Sequence, residues 1–194
     1  MRENVAKKDC MRLLATRPLI LITTLSPGGV ANGGAFGAYT NLSPREVGIA
    51  IGRSSHTYAN IRRTGEFAMN IPGANLIEAI HIFGTDYPRR ISEVEKAGLE
   101  AIPSRKVAPP SIGECVAAIE CGYVKELPIG YHTFIVGELL CGWCKEEFLD
   151  KDGYLDVLEA KVLHNMKYPR EVYAIFGSVI EPKKSNRQGR PKKR

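Results

Sequence analysis

The sequence is poor in the residues from which most metal and nucleophile sites are built, with four histidines, five cysteines and one tryptophan in 194 residues. His56, His81, His132 and His164 form no HxH or HxxxH pair, so the spacing that metal sites favour is missing. The cysteines (Cys10, Cys115, Cys121, Cys141, Cys144) are odd in number and unevenly spaced. That excludes a disulfide-stapled scaffold and points to a reducing, cytoplasmic setting. The N-terminal segment lacks the apolar core of a secretion signal. The longest apolar runs, such as "PLILITTL", are strand-sized and fall far short of the ~20 residues a membrane helix needs. No repeat is visible, no Gly-rich segment ends in the Lys-Ser/Thr of a P-loop, and no GxGxxG fingerprint occurs.

The chain has normal globular bulk, 44% hydrophobic and 25% charged, enough for one well-packed domain. The formal charge of +6 is unevenly placed. Lys183, Lys184, Arg187, Arg190, Lys192, Lys193 and Arg194 lie in a stretch with no acid, and the body without them carries a net charge of about −1. A near-neutral body gives no reason to expect a phosphate-coating surface. We therefore expect a single domain over 1–181 and a basic, disordered tail over 182–194. Within the tail, Gly189-Arg190-Pro191 is similar to the minor-groove AT-hook, with Gln188 where that element usually has arginine. A solubilising tail is the expectation, and nucleic-acid binding is not.

A short N-terminal helix is followed by an apolar, β-branched strand from Arg17 to Leu25 and the turn signal "SPGG". A strand starting near Val30 runs into the bend "NGGAFGAYTN", where Gly33, Gly34 and Gly37 let a ligand approach the backbone. The strand "EVGIAIG" leads through "RSSHT" to a helix that Ser54 or Ser55 would start and Gly65 would end. The strand "EFAMNI" comes next. Helices are then expected over "ANLIEAIHIFG" and "SEVEKAG", the latter with Ser92 and Glu95 as a capping box. Two long strands, Gly113 to Leu127 and Tyr131 to Cys144, make a hairpin, and "EVYAIFGSVI" is the last strand. At least six strands and few short helices indicate an α+β fold, mainly β, built on an antiparallel barrel or sandwich.

The chemistry concentrates where the Gly-rich bend and "RSSHTYAN" follow one another. A helix N-terminus offers free N–H groups and a positive dipole end to an anion. Arg53, Ser54, Ser55 and Thr57 add charge and hydroxyls, and His56 could contact phosphate or cap the helix. On local pattern alone, serines that only cap the helix beside a solvated Arg53 are the better account, and a bend that only turns a barrel corner is the alternative reading of the glycines.

The ordered conjunction "RPLILITTLSPGGVANGGAFGAYTNLSP…VGIAIGRSSHTYANIRRTGEFAMNI", continuing through "VEKAGLEAIPSRKVAPPSIGECVAAIECGYVKEL" and "YHTFIVGELL", resembles the flavin reductase-like, FMN-binding split-barrel family that includes flavoredoxins and archaeal ferric reductases. The resemblance implies an antiparallel split β-barrel working as a homodimer, with FMN lying across it at the dimer interface. It implies that Asn32 and the backbone of Gly34, Ala35 and Phe36 border the ring, with Thr40 and Asn41 facing the ring or ribityl chain. Arg53, Ser54, Ser55, His56, Thr57 and Asn60 would surround the phosphate, and Asn70 would lie near the flavin. Many members have proline where this chain has Ala35.

By the same resemblance NADH or NADPH supplies electrons, and a flavin, ferric chelate or protein accepts them. The flavin is the reactive group, so no catalytic side chain is required. A non-turnover FMN electron carrier and a pyridoxamine phosphate oxidase-like enzyme share the same barrel. A nucleic-acid-associated barrel using its tail is a reading of another class. Cys141 and Cys144 form one CxxC without a second pair. Strand alternation puts them on opposite faces, as buried, inert thiols. Tyr131 and Trp143 are expected to pack within the long hairpin.

Overall fold

Ile20 and Ile22 pack into one apolar cluster while Leu19 and Leu21 pack into another, so a single run of sequence is buried on both faces and forms the centre of the fold. Fully burying Ile20, Leu21 and Ile22 contributes roughly 1.5–3 kcal/mol each. The computed structural model describes residues 4–14, 16–167 and 170–180. The expected basic tail and its AT-hook-like segment lie outside the described residues.

The N-terminal helical segment is a 3-10 turn over Lys7–Leu13 with no buried residue. The strand expected from Arg17 to Leu25 is broken at Leu19 into β1 (Arg17–Pro18) and β2 (Ile20–Leu25), because Pro18 cannot donate to a ladder. At the "SPGG" turn Gly28 and Gly29 take φ of 93° and 83°, which glycine tolerates, and Ser26 N–H bonds Val30 O at 2.9 Å. The chain then forms β3 (Ala31–Phe36), β4 (Tyr39–Ser43) and β5 (Glu46–Gly52). The polar strand β4 carries no apolar alternation that would announce it.

Helix α1 (His56–Thr64) is capped by Ser55, whose Oγ accepts the Tyr58 N–H, and is closed by Gly65 at φ 74°. After β6 (Glu66–Ile71) the second expected helix resolves into a 3-10 turn at Ala74–Leu76 and α2 (Ile77–Phe83). The third is a single turn, α3 (Glu93–Lys96), capped by Ser92. Short strands β7 (Ala101–Ile102) and β8 (Ser111–Ile112) pair with each other. They precede the long hairpin β9 (Ala117–Ile129) and β10 (His132–Cys144). Two small strands, β11 (His164–Lys167) and β12 (Arg170–Ala174), follow. The sequence pattern misses β11 and runs the last strand too far, since the chain leaves the ladder after Ala174.

Seven strands form one antiparallel sheet in the order β3-β2-β6-β9-β10-β5-β4. Its two edge strands, β3 and β4, are separated in sequence only by Gly37 and Ala38, so the chain steps directly from one edge of the sheet to the other. That step curls the sheet into an antiparallel split barrel around the cluster Ile20, Ile22, Val47, Ile49, Ile51, Ile61, Phe67, Met69, Cys121 and Ile135. The second cluster covers the outer side of β2, where Leu19 and Leu21 meet Leu76, Ile80, Phe83 and Val94. Two expectations for the hairpin need correction. Tyr131 is 92% exposed at its tip rather than packed. Cys141 and Cys144 are half-buried rather than buried, with a register irregularity between Leu139 and Cys141. Trp143 does pack, against the second cluster.

Candidate flavin site

A solvent-open cleft of about 160 Å³ lies where β3 meets the first turn of α1, and its other wall is the segment from Phe83 to Tyr87. Asn32, Gly33, Gly34, Ala35 and Phe36 line it from β3, Ser55, His56 and Thr57 from α1, and Glu93 from α3.

Each wall owes its position to local chemistry. Gly34 is tightly held, since a Cβ there would stand 2.8 Å from the Phe36 ring and 3.0 Å from Thr57 Oγ1. A Cβ on Gly33 would overlap the Phe83 ring. The bend therefore needs glycine for close approach between elements, a tertiary requirement beyond any local turn. Ser55 Oγ caps Tyr58 N–H and Ser55 O accepts from Ala59, which leaves the N–H groups of His56 and Thr57 as the open donors of the first turn. His56 begins the helix and lines the cleft; the cap itself is Ser55.

A buried polar network ties the lining residues Asn32, Gly33, Thr57 and Glu93 to each other and to Thr24. Asn32 Oδ1 accepts from Thr24 Oγ1 at 3.1 Å and from Thr57 Oγ1 at 3.2 Å. Asn32 Nδ2 donates to Glu93 Oε2 at 3.1 Å, and Gly33 N–H donates to the same oxygen at 2.8 Å. Asn60 is fully buried and donates from Nδ2 to Thr24 Oγ1 at 3.0 Å. Buried groups satisfied in this way hold one arrangement, because a broken partner costs the full desolvation of the other.

Of the residues expected at the site, the cleft gathers Asn32, Gly34, Ala35, Phe36, Ser55, His56 and Thr57. The others stand outside its lining. Thr40 and Asn41 are exposed on the edge strand β4. Ser54 is exposed, and Arg53 turns its guanidinium to Gly130 O at the tip of the β9–β10 hairpin. Asn60 sits behind Thr24 in the network, its Oδ1 without a partner among the described residues. Asn70 is fully buried, donating to Leu21 O and Thr23 Oγ1 and accepting the Ile112 N–H at 2.8 Å, so it ties β6 to β2 and β8. Ala35 pairs with Leu21 in a regular ladder, and its neighbours in β3 keep the same register.

Sequence reasoning did not include Glu93 or the segment Phe83, Gly84, Thr85, Asp86, Tyr87 among the lining residues. The turn-forming composition of "GTDYP" was the available signal. The two thiols of the CxxC have separate partners: Cys141 bonds the Glu120 carboxylate, and Cys144 Sγ lies 3.4 Å from Lys145 O. Burial raises both thiols above the ordinary range, and the Glu120 contact raises Cys141 further, which disfavours thiolate chemistry at neutral pH.

Comparisons with known proteins place this fold in a family. A model of the flavin reductase like domain matches residues 11–168. The chain belongs to the flavin reductase-like domain family. Among curated relatives, a functionally uncharacterised protein of Archaeoglobus fulgidus is 38% identical over 124 residues, covering 64% of this chain and 69% of that one. The matched stretch spans 66% and 61% of two further relatives, from Halalkalibacterium halodurans and Pyrococcus abyssi, so the chain spans about two thirds of these relatives' lengths.

Solved structures share the flavin reductase-like fold closely. Nitrilotriacetate monooxygenase component B from Bacillus cereus superposes with a TM-score of 0.83 at 22% identity, covering 94% of this chain and 98% of that one. Flavoredoxin of Desulfovibrio vulgaris superposes at 0.82 and 21% identity, covering 94% and 97%. At such identities the likeness establishes the fold. Among the described residues no helix is long and apolar enough to cross a membrane.

Proposed function

We propose that this flavin reductase-like domain binds FMN in the cleft between β3 and α1. It would draw electrons from NADH or NADPH and pass them to a flavin, a ferric chelate or a protein acceptor. The observation that carries the proposal is the meeting, in one cleft, of the open N–H donors of α1 with the bend Asn32–Phe36. An anion and a planar polar ring make complementary demands, and the two walls meet one each.

The residues present fit such a group. The N–H groups of His56 and Thr57, at the positive end of a nine-residue helix, would receive the phosphate. Asn32 and the backbone of Gly34, Ala35 and Phe36 would border the ring, and Phe36 and Phe83 would exclude water from it. A bound flavin supplies electron transfer in single or paired steps, so the protein's part is to bind, orient and shield. Thr57 holds two duties, lining the cleft and donating to Asn32. FMN, with one phosphate, suits a single helix start better than a flavin nucleotide with two.

The proposed assembly is a homodimer. Leu42, Val124, Leu127, Ile129 and Leu140 are exposed apolar side chains on the strands of the barrel, which a second copy would cover. Anaerobic mixing of the FMN-loaded protein with NADH, and separately with NADPH, tests the donor. Bleaching of the flavin band by either supports the reductase reading. A flavin that neither bleaches, but that a reduced protein partner does, marks an electron carrier instead.

A further inference from the structure

We propose that Glu93 is a positioning residue for the flavin cleft: its carboxylate fixes the Asn32–Gly33 part of the bend and sets the reduction potential of the flavin bound beside it. The inference rests on the flavin-binding reading above. Glu93 opens the single-turn helix α3, is only 3% exposed, and lines the cleft. One oxygen, Oε2, takes both the Asn32 side-chain N–H and the Gly33 backbone N–H. Because β3 is an edge strand, the outward N–H of Gly33 has no neighbouring strand to receive it, and Glu93 supplies the acceptor.

The placement of the charge gives the second half of the inference. Among the described residues Oε1 accepts no hydrogen bond, and no lysine or arginine forms an ion pair with Glu93. A buried carboxylate without a cationic partner acts on its surroundings through low-dielectric protein rather than water. Reduction adds negative charge to a flavin, so a neighbouring carboxylate disfavours the reduced form relative to the oxidised one. Asp86 also lines the cleft but lies in the open segment beside Tyr87, and Lys96 lies 5.0 Å from the Tyr87 ring. Glu93 is the acid tied directly to the bend.

Two variants separate position from charge. Glu93→Gln keeps size and an acceptor but removes the charge. It should shift the affinity ratio toward reduced FMN about tenfold, which raises the two-electron midpoint by about 30 mV. Glu93→Asp keeps the charge on a shorter arm. It should weaken oxidised and reduced FMN by the same several-fold factor, leave the midpoint unchanged, and speed amide exchange at Gly33 about tenfold in flavin-free protein. A Glu93→Gln protein with a wild-type midpoint overturns the electrostatic half. A Glu93→Asp protein with wild-type Gly33 exchange overturns the positioning half, and it remains measurable if Glu93→Gln fails to fold. Failure of the flavin reading itself shows separately, as a wild-type protein that binds no FMN.

Discussion

Thr57 Oγ1 donates to Asn32 Oδ1 at 3.2 Å, so the first turn of α1 and the edge strand β3 are joined by a buried hydrogen bond at the cleft. Thr24 donates to the same oxygen from β2, and Glu93 receives the other end of the Asn32 amide. One side chain thereby connects four elements. Its two polar ends fix the distance between the surface proposed for the flavin ring and the one proposed for its phosphate.

Asn32→Ala removes that junction and leaves Thr24, Thr57 and Glu93 without their partner. Unsatisfied buried groups cost about 1–3 kcal/mol each, and some of these have alternatives, so the expected loss is on the order of 2–3 kcal/mol. FMN affinity should fall at least tenfold. Urea unfolding and fluorescence titration measure the two effects; a variant with wild-type FMN affinity removes Asn32 from the site.

Thr57 and Asn60 belong to the same helix but have different parts in this structure. Thr57 lines the cleft, whereas Asn60 is wholly buried behind Thr24. Thr57→Ala is expected to weaken FMN binding about tenfold with a stability loss of about 1 kcal/mol. Asn60→Ala should lower stability by on the order of 1–2 kcal/mol while FMN affinity stays within about threefold. Equal effects on affinity from both would count against this division.

Gly33→Ala drives a methyl group into the Phe83 ring. Overpacking of this kind costs about 1–3 kcal/mol, and any relief moves Phe83 into or away from the cleft. The variant should bind FMN weakly, and adding Phe83→Leu should recover part of both stability and affinity. A thermal melt and a titration of the single and double variants check it; additive losses would mean that the two residues do not compete for one space.

Acid stability should depend on Glu120. Burial raises its carboxyl pKa, but N–H groups of Arg105, Lys106 and Val107 and the Cys141 thiol outweigh that, and the net effect holds it below the ordinary value. The Arg105 and Lys106 bonds are 2.9 and 2.6 Å. A carboxylate depressed in the folded state adds stability that is fully present above its ordinary pKa of roughly 4.3 and is lost as pH falls through the folded value. Glu120→Gln should therefore lower stability at neutral pH and flatten the decline below about pH 4.3. A decline as steep as the wild type's would assign it to other groups.

The parts of the site legible in the sequence are those decided by neighbours along the chain. Ser55 and Gly65 mark the ends of α1 because capping chemistry is local, and "SPGG" marks its hairpin because two glycines accept positive φ. The bend and the helix start were both visible as separate features, and the family resemblance joined them. The other wall was not visible. Phe83 to Tyr87 and Glu93 reach the cleft only because α2 and α3 pack on Leu19 and Leu21, a contact between segments some sixty residues apart. Nor does an amide side chain reveal which way it faces. Asn60 and Asn70 carry the same chemistry as Asn32, yet Asn60 faces Thr24 and Asn70 faces Leu21 and Ile112, away from the cleft. The strand β4 escaped notice because "YTNLS" is a polar edge, with alternation too weak to separate it from a loop.

The most direct test of a flavin cleft between β3 and α1 is a fluorescence titration of FMN with flavin-free protein, run in parallel on the wild type and Thr57→Ala. One FMN per chain, bound at micromolar concentration or below and weakened about tenfold by the substitution, is the predicted result. No binding by the wild type, or binding that Thr57→Ala leaves unchanged, would contradict it.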